Sequence, residues 1–243
     1  MSNIADRFKG MGQAEVGGMQ LPSPNLGRAA FLLNQCRMKD NRKGGFRVEV
    51  SMTCLWPIEP GTAATGQEVA PNRPGDKVSV CLFSGDYFQK QFKELCLKCC
   101  GKDVSEELEI AEMLAGMDEY ASMFKGKDDL GKINTMWEKV LPMIVTGYTP
   151  DGGVQEAGVF DGQVVLEVLG TEKVVRQLID KSKGDIESNW VFDRSGNPIE
   201  KVYQNHFFVR RIDMQEVKEA LGEDGIKRFF GTVDRFEQIR ANQ

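Results

Sequence analysis

The chain has 243 residues, 41% hydrophobic and 28% charged, values ordinary for a globular protein that exclude a disordered or fibrous class. No run approaches the roughly 18 consecutive apolar residues of a membrane span, and the polar start MSNIADRFKG lacks the apolar stretch of a signal peptide, so a soluble cytoplasmic protein with no membrane partner is expected. The net charge of −5 argues mildly against nucleic acid but hides an asymmetry, since residues 1–101 hold 13 Lys+Arg against 9 Asp+Glu and residues 102–243 hold 18 against 27.

Residues 1–27 mix Gly, Met, Pro and polar residues without a sustained period and read as an N-terminal arm. From Arg28 a strand runs to Lys39, with Ala30, Leu32, Cys36 and Met38 alternating against Phe31, Leu33, Gln35 and Arg37. The basic cluster 39–45, KDNRKGG, has the Asn and paired Gly of a hairpin turn. The next strand alternates cleanly: Phe46, Val48, Val50, Met52, Cys54 and Trp56 face one way. Pro57 opens a loop rich in Pro, Gly, Ala and Thr. Lys77 to Phe83 is a third strand, and past a Ser-Gly-Asp turn Phe88, Phe92, Leu95, Cys96 and Cys99 share one helix face.

Residues 102–158 read as a helical insertion and linker. Leu108, Ala111, Met113, Leu114 and Met117 give one amphipathic segment, and Ile133, Met136, Trp137, Val140 and Leu141 a second that Pro142 ends. Asp103 to Phe124 carries seven acids and no Lys or Arg, a field that repels phosphates within about 8 Å at physiological salt. Such helices belong away from any nucleic-acid groove. Over 159–212 a strand is predicted at Gln163–Leu169, a helix at Thr171–Lys181, and strands at Ile186–Asp193 and Asn205–Ile212. Residues 213–243 are helical, at Met214–Leu221 and Ile226–Ile239.

The six cysteines fall within predicted strands and one helix, which suits reduced core thiols, and Cys96-x-x-Cys99 has no second pair to complete a zinc site. No metal and no cofactor are expected. With one histidine, no G-x-S-x-G and no phosphate-cradling glycine motif, an enzyme is not expected either. Asp151, Asp161 and Glu167 flank a strand as in metal-dependent nucleases, but Leu169 stands where such a site wants Lys.

What remains is a binding surface. Single-stranded nucleic acid needs cations along its phosphates and exposed aromatic faces for its bases. Arg37, Lys39, Arg42, Lys43 and Arg47 gather at one hairpin, Arg73 and Lys77 lead into the next strand, and Trp56, Tyr87, Tyr203 and Phe207 lie near strand ends or loops, with Arg210 following. Taken singly, each suits a solvated surface or a core. The gathering in one hairpin carries the reading.

Gly27 before the first strand, the basic turn Arg42 to Gly45, and Pro74-Gly75-Asp76-Lys77-Val78 opening the third strand resemble the phage-encoded OB-fold single-stranded DNA-binding proteins. The resemblance covers the first 101 residues well and Gly162 to Gly170 loosely. It implies an α+β protein built on a five-stranded OB-like β-barrel, with residues 28–101 and 159–212 forming the barrel, 102–158 inserted and C-terminal helices appended. It further implies non-catalytic binding of single-stranded DNA with little sequence preference in phage DNA replication or recombination, in the cytoplasm of an infected host. Replication or recombination proteins are then partners, and homo-oligomerisation is open. The insertion and the missing acidic C-terminal tail depart from that family. The alternative is a structural or adaptor protein that binds other chains through its basic hairpin and acidic helices.

Overall fold

The computed structural model describes residues 21–40, 46–83, 87–147 and 157–242. Arg42 and Lys43 lie outside them. The strands are β1 (Gly27–Asp40), β2 (Phe46–Thr62), β3 (Glu68–Val69), β4 (Lys77–Phe83), β5 (Val165–Arg176) and β6 (Glu200–Ile212). They form one antiparallel sheet in the order β3-β2-β1-β5-β6, with β4 also paired to β2. The protein is thus a mixed α+β structure.

The sheet does not close into a barrel through strand pairing. No ladder joins β4 to β6 among the described residues, because the segment preceding β1 occupies the seam. Ser79 N–H of β4 donates to the Pro22 carbonyl at 2.8 Å, its hydroxyl donates to Leu21 O at 3.2 Å, and His206 of β6 bonds the Pro24 carbonyl through Nε2 at 3.2 Å. This strap runs straight into Gly27, where backbones crowd. A Cβ on Gly27 would lie 2.4 Å from Glu59 O, and one on Gly170 2.3 Å from Asn25 O, so only glycine lets β1, β2, β5 and the strap converge.

His206 is the one histidine of the chain, and burial holds its imidazole below the usual value. Unfolding therefore raises its proton affinity, so stability is lost as pH falls from about 6.5 through the folded-state value. Thermal melts between those limits are expected to show this loss in the wild type and to lose it in His206→Gln. An unchanged pH dependence in the variant would remove His206 as its source.

The two faces of the sheet are buried by different helices. On one, Phe31, Leu33, Cys36, Val48, Val50, Met52, Val78, Val80, Leu82, Leu166 and Val168 pack under α1 (Phe88–Cys100), α2 (Glu107–Ala115), α3 (Asp118–Phe124), α4 (Asp129–Thr135) and α5 (Leu141–Thr146). On the other, Ala30, Leu32, Leu55, Val165 and Ile212 pack under α6 (Met214–Phe230) and α7 (Val233–Ala241). No helix of the described residues is long and apolar enough to cross a membrane.

Several expectations are corrected. Register shifts between Leu33 and Gln35 let Cys36 join Phe31 and Leu33 in the first core, although simple alternation separates them; one extra residue in a bulge reverses the phase. Likewise Leu55 enters the second core, with Trp56 at its margin. The expected helix at Thr171–Lys181 is instead the continuation of β5 to Arg176, since Thr171 to Arg176 pair with Asn205 to Glu200. The expected strand at Ile186–Asp193 is instead a 3-10 turn, Glu187–Asn189, followed by residues in single bridges, Trp190 with Leu178 and Phe192 with Pro198.

Pro142 does not end its helix. A π turn, Met136–Val140, precedes it, and Leu141 N–H reaches back to Met136 O, a wider loop that accommodates a residue without an N–H. In α2 the buried residues are Ile110, Ala111 and Leu114, while Met113 and Met117 stay exposed. The helix stops at Gly116, so Met117 never joins its stripe.

Candidate nucleic-acid interface

The face that carries α6 and α7 also displays most of the expected cations, on either side of those helices. Beyond the bulge in β1, Gln35, Arg37 and Lys39 point to this face. Their neighbours there are Ser51, Glu49 and Arg47 on β2, and Ser79, Cys81 and Phe83 on β4. Lys39, Arg47 and Phe83 make one cross-strand row, and Lys77 stands opposite Thr53. Phe83 is 56% exposed, a platform that sequence reasoning missed because it ends an otherwise buried run. Tyr87, just before α1, is also exposed.

The charges of this patch are partly spent. Glu49 sits in its centre, 3.2 Å from Lys39 Nζ and 3.6 Å from an Arg47 terminal nitrogen, while Arg47 Nε is buried without a hydrogen-bond partner. Arg37 is not a free cation. Its side chain is 14% exposed, pairs with Asp161 at 2.9 Å and donates to its neighbour's carbonyl. Burial pushes the Asp161 carboxyl up, against the pull of Arg37 and of the Cys36 and Gly158 N–H groups.

A second region lies on the hairpin formed by β5 and β6 where it runs beyond β1. Cross-strand pairing places Thr171, Lys173 and Val175 on one face with Lys201, Tyr203 and Asn205, and Phe207 follows on β6. This is the same sheet face as Glu167 and Val165. Tyr203 is 50% exposed directly opposite Lys173, and Phe207 is 45% exposed. Neither lysine forms an ion pair with a described residue, and no carboxylate stands on this face from Leu169 to Val175 or from Lys201 to Phe207. Local sequence pattern hides Lys173 and Lys201, because it places the first in a helix and the second in a connecting loop.

The remaining expected residues divide. Arg73 and Lys77 are exposed. Trp56 is partly buried against the second core. Arg210 is consumed by two carboxylates, Glu167 at 2.9 Å and Glu216 at 2.7 Å, which hold its guanidinium pKa above the usual value.

The acidic helices lie over the opposite face, and lysines answer many of their carboxylates. Lys93 reaches Glu107, Lys98 reaches Asp103, Lys102 binds both Glu106 and Glu109, and Lys132 lies near Glu112. Converting Glu106, Glu107 and Glu109 to Gln is therefore expected to change oligo-dT affinity less than about twofold at low salt. A tenfold gain would show that these groups shield the site.

Nothing in the described residues gathers three metal-ligating side chains. Asp161 and Glu167 are each held by arginine, and Asp151 lies outside the described residues. All six cysteines are free thiols; burial pushes Cys54 up to about 12 and Cys100 up to about 11, and raises Cys36, Cys96 and Cys99 strongly, which leaves them protonated packing groups. Comparison with models of protein families and with curated proteins finds no significant match.

Proposed function

We propose that this protein binds single-stranded DNA without catalysis and with little sequence preference, in phage DNA replication or recombination, using an OB-like scaffold. The observation that carries the reading is the acid-free face of the β5–β6 hairpin. There Lys173 and Lys201 flank Tyr203, with Phe207 farther along β6. A strand of nucleic acid requires this combination of phosphate-seeking charge and base-stacking surface. The row of Lys39, Arg47 and Phe83 on the same sheet face supplies a second contact of the same kind. An OB-like scaffold is supported by the strand order and by the strap that spans β4 and β6 where a barrel would close. The adaptor reading loses weight because many acids of its binding helices already have lysine partners within the chain.

A fluorescence titration with labelled oligo-dT tests the proposal. Saturable binding is expected, with log affinity falling against log salt at a slope of about −0.7 for each phosphate contact. Absence of binding at low salt would refute it.

A further inference from the structure

The β5–β6 hairpin has a second face, and its chemistry is different. Glu172, Val174 and Arg176 of β5 stand opposite Gln204, Val202 and Glu200 of β6. Val174 is 38% and Val202 57% exposed, forming a small apolar row across the hairpin. It is bounded by Glu172 on one side and by Arg176 and Glu200 on the other. Of the fifteen large hydrophobic side chains exposed among the described residues, eight belong to this projecting hairpin and its tip; Val175, Tyr203 and Phe207 lie on the lysine-bearing face, Val174 and Val202 on this one, and Ile179, Ile186 and Phe192 at the tip. Apolar surface concentrated on a projecting element marks an interaction site more often than a solvated one.

We propose that this face is the contact between two copies of the chain. A two-fold axis along the Val174–Val202 row sets each valine against its own counterpart. The same rotation reverses strand direction, so Glu172 of one copy meets Arg176 of the other, and Arg176 meets Glu172. Self-complementarity of this kind is what an isologous interface requires. Both charged groups have capacity left. Among the described residues Glu172 accepts the Ala64 N–H through one oxygen and makes no other hydrogen bond. Arg176 uses Nε on Glu200, lies over the Trp190 ring at 4.2 Å and approaches Asp185 with one terminal nitrogen, leaving donors of its five. Two sheets packed face to face at about 10 Å leave room for the paired valines between them.

The patch is small beside the roughly 1,200 Å² of a stable interface, so the dimer is weak and reversible. Both lysine-bearing faces then point outward, away from the two-fold, and remain available to DNA. The proposal does not depend on nucleic acid, and its test contains none.

Sedimentation velocity at protein concentrations rising from about 1 μM is expected to show mass climbing from monomer toward dimer. Val174→Thr with Val202→Thr, which keeps the branched shape and removes apolar surface, is expected to weaken association about tenfold. Val174→Lys with Val202→Lys should leave a folded monomer, with folding verified by circular dichroism. Val175→Lys, on the opposite face, should associate like the wild type. A wild type that stays monomeric throughout, or association that survives the double lysine variant, overturns the proposal; loss of association in Val175→Lys does so too. Failure to bind oligo-dT would leave these results untouched.

Discussion

Alanine at both Tyr203 and Phe207 is expected to weaken oligo-dT binding by about 30-fold or more. Stacking contributes roughly 1 to 3 kcal/mol per base, and the lower bound for two bases, about 2 kcal/mol, corresponds to that factor. Both rings are half-exposed on a paired strand, so their removal takes little from the core and the melting temperature should hardly move. The salt dependence discriminates between kinds of loss. Truncating the rings removes no phosphate contact and should keep the slope, whereas Lys173→Glu with Lys201→Glu should flatten it by about 1.4, two contacts at about 0.7 each. If the ring variant binds as tightly as the wild type at every salt concentration, the hairpin face is not the site.

Glu167→Ala is expected to be the most damaging single substitution for stability among the charged residues of the sheet. Its side chain is 6% exposed and its carboxylate lies between Arg28 at 3.4 Å and Arg210 at 2.9 Å. Removing one member of such a buried cluster costs about 3 to 5 kcal/mol. The lower figure applies here, because both guanidinium groups reach water and keep second carboxylates, Glu59 and Glu216. At about 2 to 4 °C per kcal/mol for a chain of this size, melting should fall by about 10 °C. Glu167→Gln retains the shape and should lose less. A melting point within about 2 °C of wild type for the alanine variant would show that the arginines are satisfied without it.

Local pattern carried much of the first half of the chain, although no loop opens at Pro57: β2 runs on to Thr62, because Pro57, Glu59 and Pro60 pair with Ala29, Arg28 and Gly27 of β1. Val48 to Cys54 alternate into one core, the helix at Phe88–Cys100 follows its spacing, and five of the six cysteines, all but Cys81, pack in or against that core, features set largely by residues close in sequence. What escaped was set by distant partners. Val174, Val175 and Leu178 have spacing compatible with a helix, and only pairing with strand residues some thirty positions later makes Thr171 to Arg176 extended. The same holds for the candidate site. Arg37 reads as a free cation until Asp161, 124 positions away, folds against it. Arg210 reads as free until Glu167 arrives from the neighbouring strand. The exposure of Phe83 and the acid-free face with Lys173 and Lys201 required knowing which strands end where.

Glu49 has a kinetic consequence. It is shared between Lys39 and Arg47, so one of that patch's two positive charges is already offset, and under the proposed DNA binding an arriving phosphate would compete with a carboxylate already in place. Departure would be correspondingly assisted, since the same carboxylate can reoccupy the cations as each nucleotide leaves. A protein with the proposed function would have to be stripped from its template by whatever enzyme follows. If both patches hold DNA as proposed, an internal competitor at one of them, with none at Lys173 and Lys201, would let the strand peel away from one side while the other still holds, so that removal proceeds stepwise instead of through a single high barrier.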